Sequence, residues 1–227
     1  MTMRTLRFSK MIIALTGFMG CGKSSVGREL SVLLGMPLVD LDKYIVGKAG
    51  KSIAEIFAES GEAGFRDIES EALSELLFGV VSGGSTLGNV LRTPPKQAWV
   101  PPSYVAEGGT VSEGTAPENV QRSPNKQAWV PPGKDFILSL GGGTIIRPQN
   151  AAMIKEKCTC FFLRATVDTL KLHLSGEQSQ RPLLRGGGFE ALLTERTPLY
   201  TAAADYIIDI DELSPMQTAG VIANLIS

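Results

Sequence analysis

The sequence predicts an α/β fold in which a parallel sheet carries helices on both faces. Short apolar runs alternate along the chain with stretches of helical periodicity, which is typical of this class. A length of 227 residues suffices for one ordinary domain with a substantial core. The 22 basic and 23 acidic residues nearly cancel, so the charge pattern is not that of a protein that binds nucleic acid or a membrane surface.

Five short apolar segments have the composition of buried strands. They are residues 11–16, 37–41, 136–140, 158–163 and 204–210. Helical periodicity is found at 23–34, 43–48, 52–59, 62–77, 149–157 and 215–225, and helices are also expected on either side of a glycine-containing stretch at 175–188. Pro215 suits the first turn of the last helix. The alternation therefore predicts five parallel strands.

A proline-rich segment at residues 79–134 interrupts this alternation. It holds eight of the 13 prolines and both tryptophans, and it repeats Lys-Gln-Ala-Trp-Val-Pro-Pro at 96–102 and 126–132. We interpret it as an irregular insertion into a single domain, 1–227, whose core is 11–78 and 135–227. A tolerated surface insertion is favoured over a docking arm for an unknown partner. Because the insertion precedes a strand, whereas ligand-binding loops follow strands, we expect it to leave the edge opposite the site.

The strongest motif is Gly-Phe-Met-Gly-Cys-Gly-Lys-Ser at residues 17–24, which matches a phosphate-binding P-loop. It follows the first predicted strand directly and opens a helix, so its backbone N–H groups and the positive helix end face one anion. We expect Lys23 to contact the β- and γ-phosphates of a nucleotide and Ser24 to bind Mg²⁺. Cys21 is expected to be exposed in this loop and to need no side-chain role.

Two carboxylates, Asp40 and Asp42, stand at the end of the second predicted strand. Ligands of such sheets bind at the carboxyl ends of the strands, so both side chains should face the phosphate site. One can support the water shell of Mg²⁺, and the other can accept a hydrogen bond from a substrate hydroxyl. The alternative, that the pair only caps the next helix, stays open.

Three arginines and a glycine triplet complete the candidate site. Arg66 has Glu69 three residues on, where it can orient the guanidinium, while Arg181 and Arg196 lie in Gln-Arg-Pro-Leu-Leu and Glu-Arg-Thr-Pro-Leu-Tyr. Each could be an ordinary surface arginine, but together they could bind a carboxylate and phosphoryl charge. The glycines at 141–143 would let a ligand approach the backbone closely, or they form a plain loop.

The cysteines, the single histidine and the lengths of the apolar runs bear on metal sites, disulfides and cellular location. Three cysteines without zinc spacing argue against a disulfide framework and a structural metal site, and Cys158 and Cys160 are expected to pack in the core. The single histidine, His173, is assigned no role. A basic start is followed by an apolar run at 11–15 that is too short for a signal peptide, and no run is long enough to span a membrane. We therefore expect a cytoplasmic protein.

These motifs, taken in their order, resemble those of the shikimate kinases, over residues 11–77 and 136–227. The resemblance implies a three-layer P-loop kinase fold with a lid at about 174–188. It also implies ATP-dependent phosphorylation of the 3-hydroxyl of shikimate, a step of chorismate and aromatic amino-acid biosynthesis. The alternatives are a P-loop kinase for another small polyol or acid, and an inactive nucleotide-binding module. We expect a monomer.

The resemblance also implies roles for individual residues. The ATP phosphates would be bound by Gly20, Cys21, Gly22, Lys23, Ser24 and Ser25, with Arg181 of the lid meeting the transferred phosphoryl group. Mg²⁺ would be held by Ser24 and, through water, by Asp40. Shikimate would be bound by Asp42, Arg66, Gly142, Gly143 and Arg196, with Asp42 accepting the proton. Leu213 departs from the family pattern, because many members have a polar ATP contact there, so it is given no role.

Overall fold

The structure is a computed structural model that describes residues 11–79, 135–175 and 188–227. Nearly all of the predicted insertion and most of the predicted lid, including Arg181, lie outside the described residues. Within them, no helix is long and apolar enough to cross a membrane.

Five parallel strands form one sheet in the order β2-β3-β1-β4-β5. The strands are β1 (Ile12–Thr16), β2 (Leu38–Asp40), β3 (Phe136–Ser139), β4 (Thr159–Arg164) and β5 (Tyr206–Asp209). The central strand β1 has the sequence Ile-Ile-Ala-Leu-Thr, and all five residues are buried. A strand that is covered on both faces cannot alternate apolar and polar residues, which explains its continuous apolar run. The prediction of five parallel strands is confirmed.

Seven α-helices and a short 3₁₀ helix at Thr144–Ile146 accompany the sheet in the described residues. The α-helices are α1 (Lys23–Leu34), α2 (Leu41–Ala49), α3 (Ile53–Phe78), α4 (Pro148–Lys157), α5 (Val167–Leu174), α6 (Gly188–Ala203) and α7 (Pro215–Ile226). Helix α1 packs against α7, and α3 packs against α2 and α4. The α/β class predicted from the sequence is confirmed.

Local sequence signals explain several helix ends. Ser52 and Glu55 form a reciprocal capping box at the start of α3, and Ser214 and Gln217 form another at the start of α7. The sequence predicted two helices at 52–59 and 62–77. The structure joins them into α3 across a kink at Gly61, where φ is 67°. Glycine adopts this left-handed backbone without a steric penalty, so the kink lies where the periodicity breaks.

The two ends of the sheet have different neighbours. At the amino end, the Met11 backbone N–H donates to Asp135 Oδ1 over 2.7 Å, just before β1 and β3 begin. At the carboxyl end, β1 leads into the P-loop, β2 into Asp40 and β3 into the glycines at 141–143. The sheet thus collects the candidate residues at its carboxyl end, whereas Asp135 lies at the opposite end.

Candidate active site

A cleft of about 640 Å³ opens at the carboxyl end of the sheet. The P-loop forms one wall, and the other lining residues come from β2, the loop after β3, the end of α5 and the start of α7. The residues that line the cleft include Lys23, Ser24, Asp40, Asp42, Gly142, His173 and Leu213. The topology therefore brings together motifs that are more than one hundred residues apart in sequence.

The P-loop turns from β1 into α1 with its glycines in backbone conformations that other residues rarely adopt. Gly22, directly before α1, has a φ of 80°, and no described side chain caps the helix there. The first turn of α1 also contains no acidic residue. Its backbone N–H groups and the positive end of the helix are thus available to an anion, as the motif predicts.

Lys23 occupies the interior of this loop. Its Nζ donates hydrogen bonds to Gly17 O over 2.8 Å and to Phe18 O over 2.9 Å, and it lies 3.6 Å from Cys21 Sγ. The ammonium group is held where a phosphate oxygen could replace the two carbonyls. An ordered cation at a helix N-terminus is the arrangement that phosphate binding requires.

The expectation that Cys21 is exposed is wrong. Its side chain is fully buried, because it points beneath the loop towards Gly17, where an added Cβ would lie 2.8 Å from the Cys21 Sγ. In this conformation the Cys21 thiol is not available to a phosphate, and its backbone N–H donates to Phe18 O over 3.3 Å.

Asp40 caps the helix that follows it, as one interpretation of the sequence held, and it also contacts Ser24. Its Oδ1 accepts the Lys43 backbone N–H over 3.2 Å and so caps α2, while its Oδ2 accepts a hydrogen bond from Ser24 Oγ over 3.0 Å. A hydroxyl and a carboxylate thus lie side by side at the phosphate-binding loop. Mg²⁺ prefers such oxygen ligands and keeps several waters, so this pair fits a Mg²⁺ bound jointly with nucleotide phosphates.

Asp42 is the second residue of α2, and its exposed side chain lines the cleft. Although the side chain is exposed to the cleft, the surrounding protein atoms desolvate the carboxyl and raise its pKa to about 6, and Asp40 and Glu69 add to this shift. Lys23 and Arg66 oppose it. A carboxylate with this pKa is deprotonated at neutral pH and is more basic than an ordinary aspartate, which suits a proton acceptor.

Arg66 and Glu69 form a buried pair next to the glycine triplet. Arg66 Nη1 lies 2.8 Å from Glu69 Oε2, and Glu69 Oε1 accepts a hydrogen bond from Thr144 Oγ1 over 2.7 Å. The guanidinium lies against Gly143, because a Cβ there would be 2.3 Å from Arg66 Nη2. Only glycine leaves room for Arg66 in this orientation.

Arg196 reaches the same triplet from α6. Its Nη1 lies 3.5 Å from Gly142 O, and the Tyr200 hydroxyl donates to that oxygen over 2.5 Å. Arg66 and Arg196 therefore bring two positive charges to neighbouring glycines, of which Gly142 lines the cleft. Such a pair can bind a carboxylate.

Several contacts were not anticipated from the sequence. His173 Nδ1 lies 2.8 Å from Gly20 O, and the ring lines the cleft, although no role was assigned to it. No local signal could reveal this contact, because the two residues are 153 positions apart. Tyr200 lies one helical turn after Arg196, and this spacing is the local signal from which its contact near Gly142 could have been predicted. Leu213 lines the cleft and packs on the core, in keeping with the absence of a polar role.

Comparisons with known proteins agree with this geometry. The family described as Shikimate kinase matches residues 19–92 and 128–227. The shikimate kinase of Dictyoglomus turgidum is 30% identical over 203 residues, covering 88% of this chain and 87% of that protein. The shikimate kinase of Rhodopirellula baltica is 33% identical over 202 residues, covering 86% and 79%.

A solved structure is similar over almost its whole length. The shikimate kinase from Acinetobacter baumannii, determined in complex with shikimate, superimposes with a TM-score of 0.67 at 26% identity. The match covers 96% of this chain and 93% of that one. The family match leaves out residues 93–127, within the segment interpreted as an insertion. The family, fold and enzyme class expected from the motifs are thereby confirmed, and the chain belongs to the shikimate kinase family.

Proposed function

We propose that this protein transfers the γ-phosphoryl group of ATP to the 3-hydroxyl of shikimate, which yields shikimate 3-phosphate and ADP. One observation carries the proposal. A single cleft joins a phosphate-binding loop, a basic carboxylate and Gly142, and two arginines contact Gly142 and Gly143 beside it. Shikimate is a small carboxylic acid with three hydroxyls, so it needs both a hydroxyl acceptor and a guanidinium pair. The reaction serves the synthesis of chorismate and the aromatic amino acids.

ATP would bind with its phosphates on the backbone of residues 20–25. Lys23 would exchange its hydrogen bonds to Gly17 O and Phe18 O for oxygens of the β- and γ-phosphates. Arg181, which lies outside the described residues, would meet the transferred phosphoryl group from the lid. Phosphoryl transfer depends mainly on positioning and charge stabilisation, and these are what the loop and the cations supply.

Ser24 and Asp40 would hold Mg²⁺, the hydroxyl directly and the carboxylate through water. When bound there, the ion neutralises charge on the β- and γ-phosphate oxygens. The 3.0 Å hydrogen bond between the two side chains already places both oxygens at the loop.

Asp42, Arg66 and Arg196 would orient shikimate. The arginines would bind its carboxylate beside Gly142 and Gly143, while Asp42 would accept the proton of the 3-hydroxyl as the oxygen attacks phosphorus. Glu69 keeps Arg66 in place through their 2.8 Å ion pair. Because the carboxylate end and the hydroxyl are held at separate points, the reacting oxygen would be directed towards the P-loop.

We also propose that the enzyme is a cytoplasmic monomer in which the segment 79–134 is an insertion. The three cysteines all lie in the described residues and form no disulfide bond, as is usual in a reducing compartment. A partner of the Trp-Val-Pro-Pro repeats would bind outside the described residues. Light scattering of the purified protein tests the monomer directly.

The proposed reaction is tested by ADP release from Mg-ATP with and without shikimate, and by mass-spectrometric detection of shikimate 3-phosphate. We expect turnover that depends on shikimate and on Mg²⁺. Asp42→Asn should abolish it, whereas Asp168→Asn, which removes an exposed carboxylate on α5, should not. Equal ADP release with and without shikimate would contradict the proposal.

A further inference from the structure

We propose that the Tyr200 hydroxyl is a positioning group for shikimate. It holds the Gly142 carbonyl, so that Arg196 is free to leave that carbonyl for the carboxylate of the substrate. This inference rests on the proposed function, because it assigns a role to a residue next to the proposed shikimate pocket.

Packing and hydrogen bonding fix the position of Tyr200. Its side chain is fully buried, and its ring packs against Phe162 of β4 with the ring centroids 5.1 Å apart. The hydroxyl donates to Gly142 O over 2.5 Å. Burial raises the pKa of Tyr200 to about 12, so the hydroxyl remains a protonated donor throughout the neutral range.

The Tyr200 hydroxyl and the Arg196 guanidinium both donate to the Gly142 carbonyl oxygen. Arg196 Nη1 lies 3.5 Å from the same Gly142 oxygen, at the outer limit for a hydrogen bond. The tyrosine bond is short and the arginine bond is long, so Tyr200 is the main partner of this carbonyl. The contact of Arg196 with Gly142 O is therefore the weaker of the two and the one that a substrate carboxylate can displace, while Arg196 also hydrogen-bonds with the Tyr200 hydroxyl.

A substrate carboxylate would compete with Gly142 O for Arg196. An arginine–carboxylate pair is charge-assisted and stronger than a contact with a neutral carbonyl, so bound shikimate would draw Arg196 away. Gly142 O then keeps Tyr200 as its donor. Without the hydroxyl, the carbonyl of this half-buried glycine would lose its main partner whenever Arg196 bound the substrate, which is unfavourable. Arg196 would consequently stay on Gly142 O.

Tyr200→Phe should therefore weaken shikimate binding selectively. We expect the KM for shikimate to rise about tenfold, with kcat changed less than about threefold and the KM for ATP unchanged, as when binding energy common to ground and transition states is lost. Tyr206→Phe is the matched control, because Tyr206 lies exposed on β5 and its ring stacks on Phe161. The control should leave both KM values unchanged.

A double-mutant cycle separates this role from a structural one. In an Arg196→Ala background the competing arginine is absent, so Tyr200→Phe should change shikimate affinity less than about twofold, measured by calorimetric titration with shikimate. A purely structural tyrosine would give the same factor in both backgrounds and would raise the KM for ATP as well. Thermal unfolding establishes that each variant is folded.

The outcomes distinguish this inference from the function on which it rests. Wild-type turnover of shikimate together with an unchanged KM in Tyr200→Phe would overturn the inference alone. Equal factors in the two backgrounds would do the same. A wild-type protein that neither binds nor phosphorylates shikimate would overturn the proposed function, and the inference with it.

Discussion

The substitution Asp42→Asn tests whether the charged Asp42 carboxylate lowers the stability of the folded protein. The pKa of Asp42 is raised from 3.8 to about 6, first by burial and then by Asp40 and Glu69. Between about pH 4 and pH 6 the folded protein thus binds the proton more tightly than the unfolded chain does. The contribution of this group to stability falls as the pH rises through that window. At neutral pH the charged carboxylate destabilises the fold, and a neutral amide of nearly the same shape does not.

The size of the effect follows from the shift. About 2 pKa units correspond to roughly 3 kcal/mol, which is an upper limit. Because the carboxylate is open to the cleft, solvent screening should reduce this to about 1 kcal/mol. In a protein of this length, that raises Tm by roughly 2–4 °C. Loss of the proton acceptor should at the same time lower kcat by about 100-fold or more.

The assay is thermal unfolding of the wild type, Asp42→Asn and the control Asp168→Asn at pH 4.5, 6.0 and 7.5, together with steady-state kinetics. The gain in Tm for Asp42→Asn should be small at the lowest pH and largest at pH 7.5. For the wild type, kcat/KM should fall as the pH drops below about 6, because Asp42 becomes protonated. A Tm at pH 7.5 no higher than that of the wild type, or a difference independent of pH, would refute the electrostatic reasoning. Full turnover by the variant would refute the role as proton acceptor.

Three further changes have defined outcomes. Gly143→Ala places a Cβ 2.3 Å from Arg66 Nη2 and so displaces the guanidinium. The KM for shikimate should rise about tenfold, whereas the KM for ATP should stay unchanged. An equal rise in the two KM values would point to a general distortion of the protein. His173→Ala removes the contact with Gly20 O, and the KM for ATP should rise about threefold while that for shikimate stays constant. Gly220→Ala in α7 meets no atom within 4 Å and should raise the free energy of unfolding in urea by about 0.5–1 kcal/mol, without an effect on kinetics.

The fold was predictable because its signals are local. The Ile-Ile-Ala-Leu-Thr run of β1, the capping residues Ser52 and Ser214 and the glycines of the P-loop act on their own neighbours in sequence. The break within α3 was predictable as well, because the two predicted helices at 52–59 and 62–77 are separated by Gly61, whose backbone is non-helical with a φ of 67°. Strand order could not be read from the sequence, since it depends on pairing between distant segments.

The candidate site was predictable as a set of residues but not as a geometry. The motifs named the P-loop, the aspartates and the arginines, and the carboxyl ends of parallel strands explain why these residues meet. Which atom faces which group depends on tertiary packing. The buried position of Cys21 and the contact of His173 with Gly20 are examples. From the sequence, Asp40 could either support Mg²⁺ or cap the next helix. In the structure its carboxylate caps α2 and also accepts a hydrogen bond from Ser24.

The cleft and Asp135 lie at opposite ends of the sheet, so the connection between α3 and β3 is a suitable place to insert new sequence. The chain re-enters the described structure at Asp135, where it hydrogen-bonds to Met11 at the amino end of the sheet, away from the cleft. Doubling the length of a flexible connection costs only about 0.6 kcal/mol in closure entropy, so length alone is a weak constraint there. A fused domain, a fluorescent reporter or new chain termini could be installed at this point while the P-loop and the arginines keep their positions. The same fold can in this way acquire new partners without rebuilding its chemistry.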